Sequence, residues 1–173
     1  MLFDGASSYV NIYSTQLADA FNPAEFTIQV WFRVADAAVW ADGTERTLLH
    51  IGADANNFIA IRKPTDNNQI DFVYKAGGTE KKVSATSYSE TGWGVAQLAV
   101  SATGDSMVAM LDGVQVDTES SLGTWAGAPV STLCCLGAAS TAAASPWKGW
   151  LQHVPIWNTP LSVEQMAYQA RVR

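Results

Sequence analysis

Two tryptophans carry the most distinctive chemistry on this chain. Trp40 lies in Ala37-Ala38-Val39-Trp40-Ala41, and Trp125 lies between Gly123 and Gly127. An indole offers a flat apolar face and one N–H donor, which suits a sugar ring or a protein partner. The competing reading is that each tryptophan plugs one end of the fold. A second group is cationic. Arg62, Lys63, Lys75, Lys81 and Lys82 supply five of the ten positive charges, with Asn67, Asn68 and Gln69 among them. Such a face could take an acidic glycan or an acidic protein surface, although lysines on a sheet edge also serve simply to keep it soluble. The candidate binding residues are therefore Trp40, Trp125, Arg62, Lys75 and Asn67.

Catalytic chemistry is not expected. The sequence holds no nucleophile elbow, no zinc-protease motif and no glycine loop of the phosphate-cradling kind. His50 and His153 are far apart in sequence. A glycosidase needs two carboxylates close together across its bond, and Asp71 stands alone on its expected strand. Calcium wants several oxygen ligands. Asp54, Asn56 and Asn57 gather oxygens in one loop, but such residues also make ordinary turns. Cys134 and Cys135 are adjacent in an expected strand, so their side chains should face opposite ways, and they read as free thiols.

With 173 residues the chain reads as one domain, 1–173. That length can bury a core without disulfides or metal. A net charge of −6 argues against nucleic acid and anionic membrane surfaces as partners. No stretch approaches the ~20 apolar residues of a membrane span. Met1-Leu2-Phe3-Asp4-Gly5 lacks the basic start and apolar run of a secretory leader.

Period-two patterning supplies the elements that must position these groups. Phe26, Ile28, Val30, Phe32 and Val34 share one strand face, and Thr27, Gln29, Trp31 and Arg33 share the other. The stretch from Gly92 to Asp117 reads as a hairpin followed by a second turn at Asp112-Gly113, a pair suited to a type I′ turn. Both of its first two strands are apolar on both faces, which places them centrally, with Leu98, Val100, Val108, Met110, Phe32 and Trp93 expected to be buried. Further strands are expected at 2–12, 47–52, 58–63, 69–75, 80–86, 132–137 and 148–157. One helix is expected near the end: Ser162 and Gln165 form a capping box, with Leu161 and Met166 as a hydrophobic staple. Many short strands and regular turns indicate an all-β, two-sheet antiparallel jelly-roll sandwich with one short C-terminal helix.

Several ordered pieces resemble laminin G-like domains of the concanavalin A-like lectin superfamily. They are Phe3-Asp4-Gly5-Ala6-Ser7-Ser8-Tyr9-Val10, Phe26 to Phe32 with its embedded Trp31, the central hairpin after Trp93, and Trp147-Lys148-Gly149-Trp150-Leu151 through Trp157 into the terminal helix. The resemblance implies Trp31, Trp93, Trp150 and Trp157 in the core, with Trp147 at a family aromatic position. Relatives bind calcium at the rim, and their closing strand often reads Gly-x-Ile-Asp-Asp. Here Gln152 and His153 replace both acids, so no calcium and no other cofactor is expected, with Asp4, Asp54 and Asn56 as the alternative metal set. The implied function is a non-catalytic lectin-like module binding a glycan or protein surface. With almost no linker outside the resemblance, a virion-surface role such as phage decoration or fibre head is expected. The alternative is a carbohydrate-binding module excised from a larger secreted or cell-surface protein. A homo-oligomer, or docking on a multimeric assembly, is expected to involve Trp125 or Trp40 beside the small-residue segment 138–145. The location would be the virion surface or extracellular.

Overall fold

Alternating apolar and polar residues build the long strands, and turn chemistry decides where each one stops. The computed structural model describes residues 1–171. In chain order the elements are β1 (Leu2–Asp4), β2 (Val10–Asn11), α1 (Thr15–Ala20), β3 (Glu25–Val34), a 3-10 turn (Ala37–Ala41), β4 (Arg46–Asp54), β5 (Asn57–Lys63), β6 (Gln69–Ala76), β7 (Thr79–Thr86), β8 (Gly94–Ser101), β9 (Ser106–Leu111), β10 (Val114–Glu119), β11 (Cys134–Leu136), β12 (Lys148–Gln152), β13 (Ile156–Trp157) and α2 (Val163–Gln169). One sheet runs β1-β12-β3-β8-β9-β10, with β13 also on β3, and the other runs β2-β11-β4-β5-β6-β7. All pairings are antiparallel. This is the expected jelly-roll sandwich.

The expected apolar face of β3 packs between the sheets, together with Ile51, Ile59, Ile61 and Phe72 from the second sheet. β8 lies between β3 and β9, with Leu98 opposite both Ile28 and Ala109. Its other face is covered by α2: Trp31 and Val95 pack with Ala170, and Ala99 and Met110 pack with Met166. The helix starts on its capping box, where Ser162 Oγ accepts the Gln165 N–H and Gln165 Oε1 accepts the Ser162 N–H. Gln97 Nε2 fixes it to the sheet by donating 2.8 Å bonds to Met166 O and Gln29 Oε1. Asp112 and Gly113 both take positive φ, 52° and 78°, as a type I′ turn requires.

Local bonds break three expectations. The segment 2–12 is two strands in different sheets, because Asp4 Oδ1 accepts the N–H groups of Ala6, Ser7 and Ser8 and turns the chain away. The segment 148–157 divides at His153, which sits at φ 44°. Ser14 caps an unexpected helix, α1, by accepting the Leu17 N–H at 3.0 Å. Four of the six expected core residues are buried, but Val108 and Trp93 are half-exposed. Both pack at the margin of α2, whose seven residues do not extend over them. Trp31 and Trp147 are buried, whereas Trp150 and Trp157 are also half-exposed. The Arg33 guanidinium lies over the Trp150 ring, 4.6 Å from its centroid.

Candidate functional site

The loop after β10 carries Trp125 and is tied down by side chains from distant turns. Asp105, in the β8–β9 turn, accepts the N–H groups of Ser121 and Leu122 at 2.9 and 2.8 Å. Asn57, buried at the start of β5, accepts the N–H of Ala126 at 3.0 Å and of Gly77 at 2.9 Å. Gly123 passes so close to β6 that a Cβ there would stand 1.9 Å from the Ala76 carbonyl oxygen. The Trp125 indole N–H donates to Gly127 O at 2.8 Å. The ring is thus oriented before any ligand arrives, which lowers the ordering cost of binding.

Tyr74 backs this ring. The two aromatic planes stack at 28° with centroids 6.2 Å apart, Tyr74 buried and Trp125 half-exposed. The Tyr74 hydroxyl donates to Pro23 O at 3.1 Å. Burial and the nearby Glu25 carboxylate push its phenol up to about 12. The pair lines a cleft of about 440 Å³, walled on one side by Asn22, Pro23 and Ala24 and on the other by Leu122 and Thr124. An aromatic floor with polar groups at its margin can hold the C–H face of a sugar while bonding its hydroxyls.

Strand register divides the five cations. Arg62, Lys75 and Lys82 share the outer face of the second sheet, opposite Asp71, Phe58 and Val73 respectively. Lys63 falls on the inner parity with Ile59 and Ile61. It is fully buried, and its Nζ donates to Asp42 Oδ1, Thr44 O and Pro64 O at 3.2, 3.0 and 3.1 Å. Lys81 reaches Glu119 at 3.9 Å on neighbouring β10. The expected five-cation face is therefore a three-cation face. Its members have partners: Arg62 with Glu45 at 3.4 Å, Lys82 with Asp71 at 3.6 Å, and Lys75 over the Phe58 ring. Phe58 stacks on His50 at 5.3 Å. Burial, aided by Arg62, holds His50 below the ordinary imidazole value against a bond to Leu133 O. Asn67 is exposed in the β5–β6 connection, at the far end of that hairpin from Lys75.

Trp40 overturns its expectation. It is 1% exposed inside the 3-10 turn, its indole N–H donates to Glu90 O at 2.8 Å, and Phe32 and Tyr88 meet its ring edge-on. It plugs the sandwich and offers nothing to a glycan or a second chain. Oxygens of the alternative metal set serve their own turns. Asp4 accepts the Ser7 hydroxyl and three backbone N–H groups, and those of Ala6, Ser7 and Ser8 hold its carboxyl far below the usual range. Asp54 accepts the Asn56 N–H and the Asn57 amide. Among the described residues no three His, Cys, Asp or Glu side chains gather as a metal cluster. His153 is exposed and Gln152 half-exposed, both at the end of β12. Cys134 and Cys135 are free and buried, and burial pushes both thiols up, Cys135 to about 11.

A family model described as the concanavalin A-like lectin/glucanases superfamily matches residues 4–167. The chain belongs to this superfamily. Among curated proteins no sequence matches it. Solved structures of similar fold include the IT-sialidase CBM40 of Ruminococcus gnavus, at 11% identity and TM-score 0.75, covering 98% of this chain and 97% of that one. The same module has been solved bound to α2,3 sialyllactose, with 11% identity, TM-score 0.68 and coverage of 85% and 83%. Domain 4 of AbnA, a GH43 extracellular arabinanase from Geobacillus stearothermophilus, was solved with arabinotriose. It is 16% identical with TM-score 0.62, covering 86% of this chain and 67% of that one. These likenesses are ones of fold. The superfamily includes both lectins and glucanases, so the fold alone assigns no chemistry.

Sequence reasoning singled out Trp125 but missed most of what surrounds it. Tyr74 read as one more strand residue. Asn57 read as a metal candidate in a turn, and Asp105 as part of a turn. Period two on β6 gave a usable signal, since it puts Tyr74 on the inner face beside Phe72.

Proposed function

We propose that the chain is a non-catalytic carbohydrate-binding module and that a saccharide stacks in the Trp125 cleft. The observation that carries this reading is the half-exposed Trp125 ring, backed by Tyr74 and fixed by its own N–H bond, beside a cleft edged by Asn22 and Thr124. Fold neighbours solved with sialyllactose and arabinotriose support a sugar as the ligand. A binding role is favoured over catalysis because, among the described residues, Tyr74 is the only titratable side chain lining the cleft, and its proton is held too tightly for acid–base work near neutral pH.

Nothing in the comparisons speaks for the virion-surface role, and the carbohydrate-binding modules among them favour a module of a larger secreted or cell-surface protein. Among the described residues no helix is long and apolar enough to cross a membrane. A single sugar site binds weakly, and useful avidity comes from several sites together. Self-association is therefore part of the proposal, with light scattering as its check.

Titration calorimetry against an oligosaccharide panel tests the reading. Trp125→Ala is expected to weaken binding by about tenfold or more, which corresponds to about 1.4 kcal/mol, and Trp125→Phe to retain part of it. Undiminished binding by folded Trp125→Ala would reject the cleft. Loss on Arg62→Ala instead would move the site to the outer face of the second sheet.

A further inference from the structure

Fold neighbours of this chain were solved with both classes of sugar: sialyllactose carries a carboxylate and arabinotriose does not. The charges around the Trp125 cleft bear on which of these classes it can take. Among the described residues no charged side chain lines it. Two carboxylates stand directly behind its walls. Glu25 follows wall residue Ala24 and accepts the Thr103 N–H at 2.9 Å. Asp105 holds wall residue Leu122 through the 2.8 Å bond to its N–H. Ala102, itself a lining residue, joins the two sides: its N–H donates to Ala24 O at 2.7 Å and its carbonyl accepts the Asp105 N–H at 3.3 Å.

Hydrogen bonds keep both carboxylates ionised, so each falls below its ordinary range and carries a full charge at neutral pH. Lys81 is the cation acting on Asp105, and it is shared with Glu119. Arg62, Lys75 and Lys82, which would draw an acidic sugar, lie on the outer face of the second sheet and do not line the cleft. The chain as a whole is anionic, with net charge −6.

We propose that the Trp125 cleft selects uncharged saccharides and turns away carboxylate-bearing ones. This rests on the reading of the cleft as a sugar site. A neutral ring lays its C–H face on the indole and turns its hydroxyls toward Asn22 and Thr124. A sialoside carboxylate would meet the like charges of Glu25 and Asp105, a repulsion that salt screens, and among the described residues no cation lines the cleft to receive it.

Calorimetry with the full chain tests this, using arabinotriose, lactose and gluco- and xylo-oligosaccharides against α2,3-sialyllactose and its methyl ester. The expected result is a neutral glycan whose affinity drops by about tenfold or more in Trp125→Ala, with sialyllactose bound at least about tenfold more weakly than that glycan. Glu25→Gln keeps the acceptor for Thr103 and removes the charge, and should narrow the gap, as should added salt. If Trp125→Ala does not fold, Trp125→Phe and the shift of the wild-type Trp125 indole N–H resonance on titration replace it. Trp125-dependent binding of sialyllactose as tight as any neutral sugar would overturn the selectivity while leaving the cleft a sugar site. Absence of Trp125-dependent binding across the whole panel would remove the cleft as a sugar site, and the selectivity with it.

Discussion

Asn57→Ala should loosen the Trp125 loop without touching the sandwich core. The side chain makes three bonds: Oδ1 accepts from Gly77 and Ala126 at 2.9 and 3.0 Å, and Nδ2 donates to Asp54 Oδ1 at 3.0 Å. Each such bond is worth about 0.5–1.5 kcal/mol net. Gly77 and Ala126 are exposed, so water takes over part of the lost acceptor, and the total comes to about 2–3 kcal/mol. For a chain of this size that is a fall in melting temperature of about 4–12 °C. Amide hydrogen exchange at Gly77 and Ala126 should accelerate, and glycan affinity should fall although Asn57 does not line the cleft. Asn57→Asp separates the two roles. It keeps the acceptor, so the Ala126 amide should stay protected, but it sets a carboxylate against Asp54 and lowers stability. Unchanged protection at Ala126 in Asn57→Ala, or a melting temperature within about 1 °C of wild type, would refute the anchoring argument.

Leu98→Ala empties a fully buried site opposite Ile28 and Ala109 and should cost about 2–5 kcal/mol by chemical denaturation. Trp40→Ala should cost about 3–5 kcal/mol while glycan affinity per folded molecule stays unchanged, because the ring is internal. Burial opposes the Asp42 charge, but Arg46, the Thr44 N–H and Lys63 outweigh it and hold its carboxyl below the ordinary 3.8. A depressed folded value stabilises above the unfolded one, so this contribution should be intact near neutral pH and disappear as pH falls below about 4. Asp42→Asn should flatten that limb of the stability–pH curve. Millimolar calcium should leave the melting temperature unchanged, since Asp4 and Asp54 are engaged by their own turns; a rise abolished by Asp4→Ala would contradict this.

Local signals in the chain specified the scaffold well. Alternation in β3, the Asp112-Gly113 turn and the Ser162–Gln165 cap depend on neighbours within a few residues, and all stand as read. Where a distant partner decides the outcome, the sequence is silent. Trp40 looked exposed because alanines flank it, but Phe32, Tyr88 and the Glu90 carbonyl bury it. Lys63 was grouped with its cationic neighbours although its parity with Ile59 and Ile61 pointed inward. There the period-two signal was present and composition outvoted it. Half of the candidate site was legible in the same sense. Trp125 stood out by type and flanking glycines, whereas Tyr74, Asn57 and Asp105 come from three other parts of the chain and meet only in the folded state.

The two-point tether of the Trp125 loop has a consequence for how this protein can diversify. Asp105 and Asn57 grip backbone N–H groups rather than side chains. They therefore place few demands on the identity of the residues they hold. Thr124, Ala126 and Ala128 are exposed, and β-sheet register and core packing do not run through them. Gly123, pressed against the Ala76 carbonyl, is fixed by sterics, and Gly127 by its φ of 83°. The loop is in effect a replaceable cassette on a fixed frame, and randomising its exposed positions while keeping Gly123, Gly127, Asn57 and Asp105 would yield a library in which specificity varies and folding does not.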